Sequence, residues 1–591
     1  MARTRHQGAD QGLPLRDLPA AALRAVLREG YTRHDLKADV LAGLVVGVVA
    51  LPLAMALAIG VGVPPQHGLY TAIVAGFLVA ALGGSRNQVT GPTAAFIVVL
   101  APIYTKFGLA GLLLSGILGG LILIAMGVFR LGRMIQFVPH PVTTGFTAGI
   151  ATVIATMQLR DVFGLKPQGN PEHYIDKVQA LFAARHTAAL PEFLIALLTL
   201  GALLGVPKLT RRVPAPLVAF PLAALVAAAL QRWVPSFGVA TIASSFHTEI
   251  NGHIFNGIPQ LPPTPALPWL QPGPSGQALQ PSFDTLRALL PGAFAIAILG
   301  AIESLLSAVV ADGMAHTKHD PDAELISQGV GNVVAPLFGG IPATGAIART
   351  ATNIKAGGRT PVAAMVHSLT ILIAVLALAP LLGYLPMASL AALLLLVAWN
   401  MSDAKHFVHI LRVAPKSDVA VLLTCYGLTV TFDMVVGVSV GMVLAALLFM
   451  RRMAEVTETQ LAGPERLSFQ GKLPKDVVIY EISGPLFFGA AQKAMAALQV
   501  VSGKTRAVIL LMPQVHAMDA TGLVALESVL DSLHLRGCRA LLTDVQAQPL
   551  GVLKRARVFD LPGVSLCATI TEALALLESQ ERPSIEVGAA R

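Results

Sequence analysis

Apolar residues run from Leu41 to Met450 with few interruptions, and the breaks between runs are short and rich in glycine, proline and basic residues. A bilayer's hydrocarbon core takes an α-helix of roughly 20 apolar residues, and most of the runs approach that length. With the shorter runs included, the pattern predicts about 14 membrane segments. The first set falls at Leu41 to Val63, Leu69 to Leu82, Pro92 to Tyr104, Leu109 to Phe129, Pro141 to Leu159, Leu190 to Val206 and Pro214 to Leu230. The second falls at Leu289 to Ala311, Leu325 to Phe338, Ala346 to Ile354, Pro361 to Leu378, Leu382 to Val397, Val419 to Thr431 and Met434 to Met450.

Two stretches are broken rather than merely short: "VTGPTAAF" (Val89 to Phe96) and "PATGAIARTATNI" (Pro342 to Ile354). Pro92 fits a first helical position, where no backbone donor is lost, with Thr90 or Gly91 as its cap, so a helix is expected to start there in mid-membrane. Thr344 or Gly345 caps the second in the same reading. Helix starts leave backbone N–H groups unpaired and carry partial positive charge, so two of them facing each other favour an anion. A Gly-Gly pair precedes each break (Gly83 and Gly84, Gly339 and Gly340), and broken segments at matching positions mark inverted repeats.

Basic residues collect in alternate loops: Arg86, then Arg130 and Arg133, then Lys208, Arg211 and Arg212, then Lys355 and Arg359, then Lys405, Arg412 and Lys416, then Arg451 and Arg452. That is the positive-inside pattern, and with an even number of crossings it puts both termini in the cytoplasm. The proline-rich loop from Arg232 to Arg287 has few cations and is expected outside. The basic amino terminus (Arg3, Arg5, Arg16, Arg24, Arg28, Arg33, Lys37) has no apolar stretch or small-residue cleavage site before Asp39, so no signal peptide is expected.

Composition excludes a soluble enzyme: of 591 residues 54% are hydrophobic and 13% charged, with a mean hydropathy of +0.68. The net charge of +9 is scattered over loops, not gathered with aromatics, so nucleic acid is not expected as a partner. Cys425, Cys538 and Cys567 are too few and scattered for a disulfide framework or a metal site and are read as free thiols. His316, Lys318 and His319 lie in an internal loop without a second ligand cluster, so neither metal nor other cofactor is expected. No Gly-x-x-x-x-Gly-Lys stretch is present, which argues against ATP as the energy source.

After Arg452 the pattern turns soluble. Val477 to Ile482, Ala507 to Met512 and Ala540 to Leu542 read as strands, and Ala491 to Val501, the stretch after "DATGL" and Ile570 to Leu577 as helices. The domain organisation is therefore a cytoplasmic segment at 1–37, a membrane domain at 38–453, a linker at 454–474 (Val456 to Leu473 at its centre), an α/β domain at 475–580 and a tail at 581–591.

"DVLAGLVVGVVALPLAMALAIGVGVPPQHGLY", "GPTAAF", "AIESLLSAVVADGMAHTKH" and "GGIPATGAIARTATN" resemble the SulP (solute carrier family 26) anion transporters, and the tail resembles their STAS domain. Through "AIESLL", "VAWNMSDA", "TFDMVVGVSVG" and "GPLFFGAA" the chain looks closest to the bacterial C4-dicarboxylate branch. The resemblance implies two intertwined inverted seven-segment repeats, a core domain moving against a gate domain like an elevator, and homodimers in a lipid membrane. It also implies a regulatory partner for the STAS domain, acyl carrier protein being one.

Several residues are candidates for the chemistry. Glu303 sits mid-helix in "AILGAIESLLSAVV", where a carboxylate is costly unless it faces a cavity, binds a cation or takes up a proton, and Ser307 lies one turn on. In sodium-dependent members of the family the matching positions hold sodium together with the start of the tenth segment, here Gly345, Ala346 and Ile347. Ile347 stands where a hydroxyl is wanted, which favours a proton over sodium. Alternatively Glu303 pairs with a polar neighbour and only holds the core together. Arg349 matches the family's anion-binding arginine and brings a fork suited to a carboxylate or sulfate, the alternative being an arginine snorkelling to the cytoplasmic face. Ala348 replaces the hydroxyl of chloride-binding members. Backbone N–H groups near Ala94, Ala95, Ala346 and Ile347 are expected to bind the anion, with Thr93 and Thr350 hydroxyls assisting. Asp433 reads as a helix-terminus residue. Asp519 and Thr521 match the loop carrying a phosphorylatable hydroxyl in related anti-sigma antagonists, or simply cap the next helix.

The leading expectation is a secondary active, proton-coupled carrier of C4-dicarboxylates such as succinate, fumarate and aspartate. The alternative is a sulfate or bicarbonate symporter of the same family, and readings of another class are an anion channel or a STAS-based membrane sensor.

Overall fold

The computed structural model describes residues 14–579 apart from 170, 172–173, 211–212, 235–236, 251–252, 274–275, 280–281, 457, 462–473, 475, 488–490, 493 and 496–504. Arg3 and Arg5, most of the expected linker, the end of the expected Ala491 to Val501 helix and the 581–591 tail lie outside those residues. The chain forms two compact units, Met1–Met442 and Val443–Arg591.

In the membrane unit the elements are α1 (Arg33–Val61), α2 (Pro65–Leu82), β1 (Thr90–Gly91), α3 (Ala94–Val128), α4 (His140–Val162), α5 (Leu190–Leu209), α6 (Ala215–Trp233), β2 (His247–Ile250) and β3 (His253–Asn256). There follow α7 (Phe283–Ala315), α8 (Pro321–Val334), β4 (Thr344–Gly345), α9 (Ile347–Lys355), α10 (Pro361–Leu382), α11 (Met387–Ser402), α12 (Lys416–Thr431) and α13 (Met434–Val456). Among the described residues 10 helices are long and apolar enough to cross a membrane. Gly108, at φ 66 and ψ −169, divides α3 into a half-helix and a full span, and α8, α9 and α12 supply three shorter segments, which brings the total to the expected 14.

Local signals explain where the helices begin. Thr32 accepts from the Asp35 N–H while Asp35 accepts from the Thr32 N–H, a capping box that starts α1 eight residues before the apolar run at Leu41. Ser282 caps α7 in the same manner ahead of Leu289. The start of α10 is capped across the fold: buried Asp39 accepts from the N–H groups of Arg359 at 2.8 Å and Thr360 at 3.1 Å.

The two halves interlock. The α3 helix packs on α7 and α8, α1 and α2 pack on α10, and α4 packs on α11 and α12. At the α3–α8 crossing Gly120 and Gly329 face each other so closely that a Cβ on either would come within 2.7 Å of the other's carbonyl oxygen. Small residues permit this approach, and van der Waals contact between backbones is what membrane helices have in place of a hydrophobic driving force.

The second unit holds β5 (Glu458–Leu461), β6 (Val477–Ser483), β7 (Ala507–Gln514), α14 (Ala520–Leu535), β8 (Arg539–Thr543), α15 (Ala547–Arg555), β9 (Val564–Cys567) and α16 (Ile570–Ser579). Its sheet runs β5-β6-β7-β8-β9, parallel except that β5 is antiparallel to β6. Part of the expected linker is thus a strand, because polar "ETQL" completes a sheet edge that its own sequence does not announce. The three cysteines are free and buried, and burial pushes the Cys567 thiol up.

Candidate functional site

Both breaks become short strands, and the strands pair antiparallel, Thr90 opposite Gly345 and Gly91 opposite Thr344. The Ala346 N–H extends the ladder by donating to the Val89 carbonyl at 2.9 Å. From this clasp the first half-helix starts at Ala94 with Thr93 as its cap residue, and the second starts at Ile347 with Ala346, neither start closed by a side-chain hydrogen bond. The expected caps at Thr90, Gly91, Thr344 and Gly345 are therefore displaced by one to three residues: those residues spend their backbone groups on each other, and Pro92 lies outside the helix. One cavity of about 480 Å³ is walled by residues 92–95 and 345–349, so both helix starts meet it. Leu53 and Leu57 of α1, Phe146 and Thr147 of α4, and Val397 and Asn400 of α11 line its wall as well.

Glu303 lies on this wall and accepts a hydrogen bond from the Thr93 hydroxyl at 2.8 Å. Arg349 is only 2% exposed. It reaches from the second half-helix to the chain just ahead of the first, where one guanidinium N–H donates to the Pro92 carbonyl, while its Nε and its other terminal nitrogen, Nη1, have no partner. Space for it exists because residue 91 is glycine: a Cβ there would stand 2.3 Å from Nη1. The structure therefore brings Thr93, Ala94, Ala95, Gly345, Ala346, Ile347, Arg349 and Glu303 to one cavity. Ile347 is 44% exposed, an apolar side chain among the polar ones.

Two expected residues are elsewhere. The Thr350 hydroxyl is fully buried behind the clasp, where it accepts from the Val89 N–H at 3.0 Å and from the Ser307 hydroxyl at 3.2 Å. Both hydroxyls are turned into the protein and away from the cavity, since a helix places residues three and four apart on neighbouring but not identical faces. In this geometry Thr350 holds the strand and Ser307 holds Thr350.

A polar network that the sequence reading missed supports the clasp. Buried Glu324 accepts from the N–H groups of Gly84 at 3.1 Å and Ser85 at 3.2 Å and from the Gln88 amide at 2.9 Å. The same amide donates to Ser304 Oγ at 2.7 Å. Gln88 in turn lies against Gly345, where a Cβ would come 2.2 Å from its Nε2. Gly345→Val is accordingly expected to push Gln88 off Glu324 and to lower anion uptake by about tenfold or more, read as initial rate in proteoliposomes at matched protein content. Glu324 lies in the first turn of α8, a place where carboxylates are ordinary, so nothing local set it apart as the mid-helix position did Glu303.

Other candidates resolve simply. Asp433 accepts from the Val436 N–H at 2.8 Å and caps α13. His319 is bound to Asp312 through Nδ1 at 2.7 Å, and among the described residues no group of three potential ligands is placed to hold a metal. Asp519 accepts from the Gly522 N–H at 2.7 Å and caps α14, leaving the Thr521 side chain exposed at the helix start.

Interlocked halves, half-helices clasped by a strand pair and a polar cavity at their starts define a membrane transport protein. The chain belongs to the Sulfate permease family, whose model matches residues 36–425, and the STAS domain model matches residues 469–573. A putative sulfate transporter of Bacillus subtilis (strain 168) is 38% identical over 532 residues, covering 90% of this chain and 96% of the relative. A bicarbonate transporter of a Picosynechococcus species is 29% identical, covering 84% and 87%. The murine Solute Carrier 26 family member A9 anion transporter in its inward-facing state superposes with a TM-score of 0.80 at 19% identity, covering 98% of this chain and 96% of that one. The transmembrane domain of a cyanobacterial bicarbonate transporter matches with a TM-score of 0.57 at 29% identity, covering 70% and 98%. The protein is thus an anion transporter and not an enzyme.

Proposed function

We propose that the protein is a secondary carrier of a compact oxyanion of the sulfate or bicarbonate class, cycling the clasped cavity between the two sides of a bacterial inner membrane by an elevator-type movement. The carrying observation is the convergence of two uncapped helix starts and one buried arginine on a single cavity. The expectation of a C4-dicarboxylate gives way to this alternative. Relatives across the family bear the names of sulfate and bicarbonate transporters, and the cavity's own chemistry supports the change. Arg349 is the one cation among its described lining residues, and Glu303 and Asp403 are its carboxylates. A dicarboxylate would place its second charge near one of them, a repulsion that a single-centred oxyanion avoids.

Glu303 is the coupling group in this proposal, and the proton is its ion. Apolar Ile347 at the cavity supports a proton over sodium, which requires several oxygen ligands. A homodimer with both termini in the cytoplasm, and a STAS domain that meets a regulatory protein such as acyl carrier protein, complete the reading.

Uptake of labelled sulfate into proteoliposomes tests it. Unlabelled sulfate or bicarbonate is expected to compete at least tenfold better than succinate, and an inward proton gradient is expected to accelerate uptake in the wild type but not in Glu303→Gln. Preferential competition by succinate would overturn the substrate, indifference to the gradient would overturn the coupling, and a unitary current on electrical recording would make the protein a channel.

A further inference from the structure

A second cavity, of about 710 Å³, lies at the far end of the first half-helix, which begins at the clasp and ends at Tyr104 and Gly108 on this cavity's wall. Phe338 and Gly339, where the chain leads toward β4, border it as well. The long 234–282 loop roofs it and is tied down at several points: the Ala110 N–H donates to the Pro272 carbonyl at 3.2 Å and the Ala266 N–H to Leu337 at 2.7 Å. Both broken segments thus run from this cavity's lining to the place where the half-helices start.

Its chemistry is that of an anion-holding chamber. No carboxylate, lysine or arginine is among its described lining residues, which include two histidines, two tyrosines and two glutamines. The 18-residue α2 begins on its wall behind Pro64, with no side-chain cap on its positive end. Gln66, in the first turn of that helix, is 3% exposed, and only one side of its amide is engaged: Nε2 donates to Thr248 Oγ1 at 2.9 Å while Oε1 has no partner. The amide can turn over without changing shape, because the Thr248 hydroxyl serves equally as donor or acceptor, and then offers two N–H donors where Oε1 now stands, at a residue that lines the cavity. A buried amide half-satisfied beside an uncapped helix start is a site built for a polar guest.

We propose that this cavity is a second binding site for the transported class of small oxyanion, a vestibule held by Gln66 and the start of α2 in series with the half-helix site. The inference rests on the carrier reading above. A vestibule has to hold its anion weakly enough to pass it on, so its affinity falls below that of the inner site.

Titration of the purified full-length protein tests the pair of sites, with sodium sulfate as one probe and bicarbonate in a sealed cell as the other. The wild type is expected to give two phases. Arg349→Gln removes the tighter phase alone, and Gln66→Glu, nearly the same shape but acceptor-only and negative, weakens the other roughly tenfold or more. Thr248→Val, on the roof, provides a second variant should Gln66→Glu fail to run as a single species on size exclusion, and is expected to weaken the same phase. The vestibule is overturned if Arg349→Gln abolishes all binding, or if the variants at 66 and 248 leave both phases intact. Loss of a phase in the position 66 or 248 variants with no effect of Arg349→Gln supports the vestibule and overturns the inner site. A response to one probe only identifies which oxyanion the vestibule takes.

Discussion

Arg349→Lys is expected to reduce anion uptake roughly a hundredfold with protein yield and melting temperature near wild type. The guanidinium performs two tasks at once: one N–H is bound to the Pro92 carbonyl just ahead of the opposite half-helix, and Nε and Nη1 remain unpartnered at a cavity-lining residue. A lysine keeps the charge but presents a compact ammonium on a flexible stem, so it serves the carbonyl or the anion and not both in a fixed plane. Losing two charge-assisted hydrogen bonds to a desolvated anion is worth about 3 kcal/mol, which is the hundredfold. Initial uptake rates across a sulfate concentration series provide the check. A lysine variant with wild-type rates would mean that Arg349 only ties the two half-helices together, and in that case its melting temperature is what should fall.

The second large effect lies outside the cavity. Glu324→Ala is expected to destabilise the membrane unit by about 3 kcal/mol or more, because it strands the backbone donors of Gly84 and Ser85 and frees the Gln88 amide in a site without solvent. Removing one member of a buried network costs the desolvation of every group it served, which exceeds the worth of the contact itself. Glu324→Gln should be much milder: its amide oxygen can still accept from Gly84 and Ser85, and Gln88, whose own Oε1 is unpartnered, can turn to meet the new NH₂ group. A thermal unfolding series on detergent-solubilised wild type, Glu324→Gln and Glu324→Ala measures the order. Equal melting temperatures for the alanine variant and the wild type would remove Glu324 as the support of the clasp.

The legibility of this chain was uneven for physical reasons. Helix-forming runs, their number and their loop charges depend on transfer free energy along the chain, and the broken segments stood out because proline and glycine disturb that pattern locally. Helix ends were misplaced wherever a cap overrode hydropathy, as Thr32 does for α1. The segment expected from Leu382 is instead α11 from Met387, because Leu382 completes α10 and Pro386 caps the next helix. Thr350 fitted an anion site, and Ser307 a coupling patch with Glu303, on chemistry alone. Their side chains point behind the strand pair, a matter of helix phase that residue type does not encode. Glu324 and Gln88 escaped notice because their importance comes from partners more than 200 positions apart in the chain.

By itself the sequence determined the membrane unit, its two broken half-helices, the soluble α/β tail and the residues able to carry charge into an apolar interior, since each follows from local composition and spacing. Only the tertiary structure decided that the two breaks pair as strands, that Arg349 reaches across to Pro92, and which hydroxyls face the cavity. Those outcomes depend on backbone hydrogen bonds and side-chain directions between segments far apart in the chain. No property of either segment alone fixes how they meet.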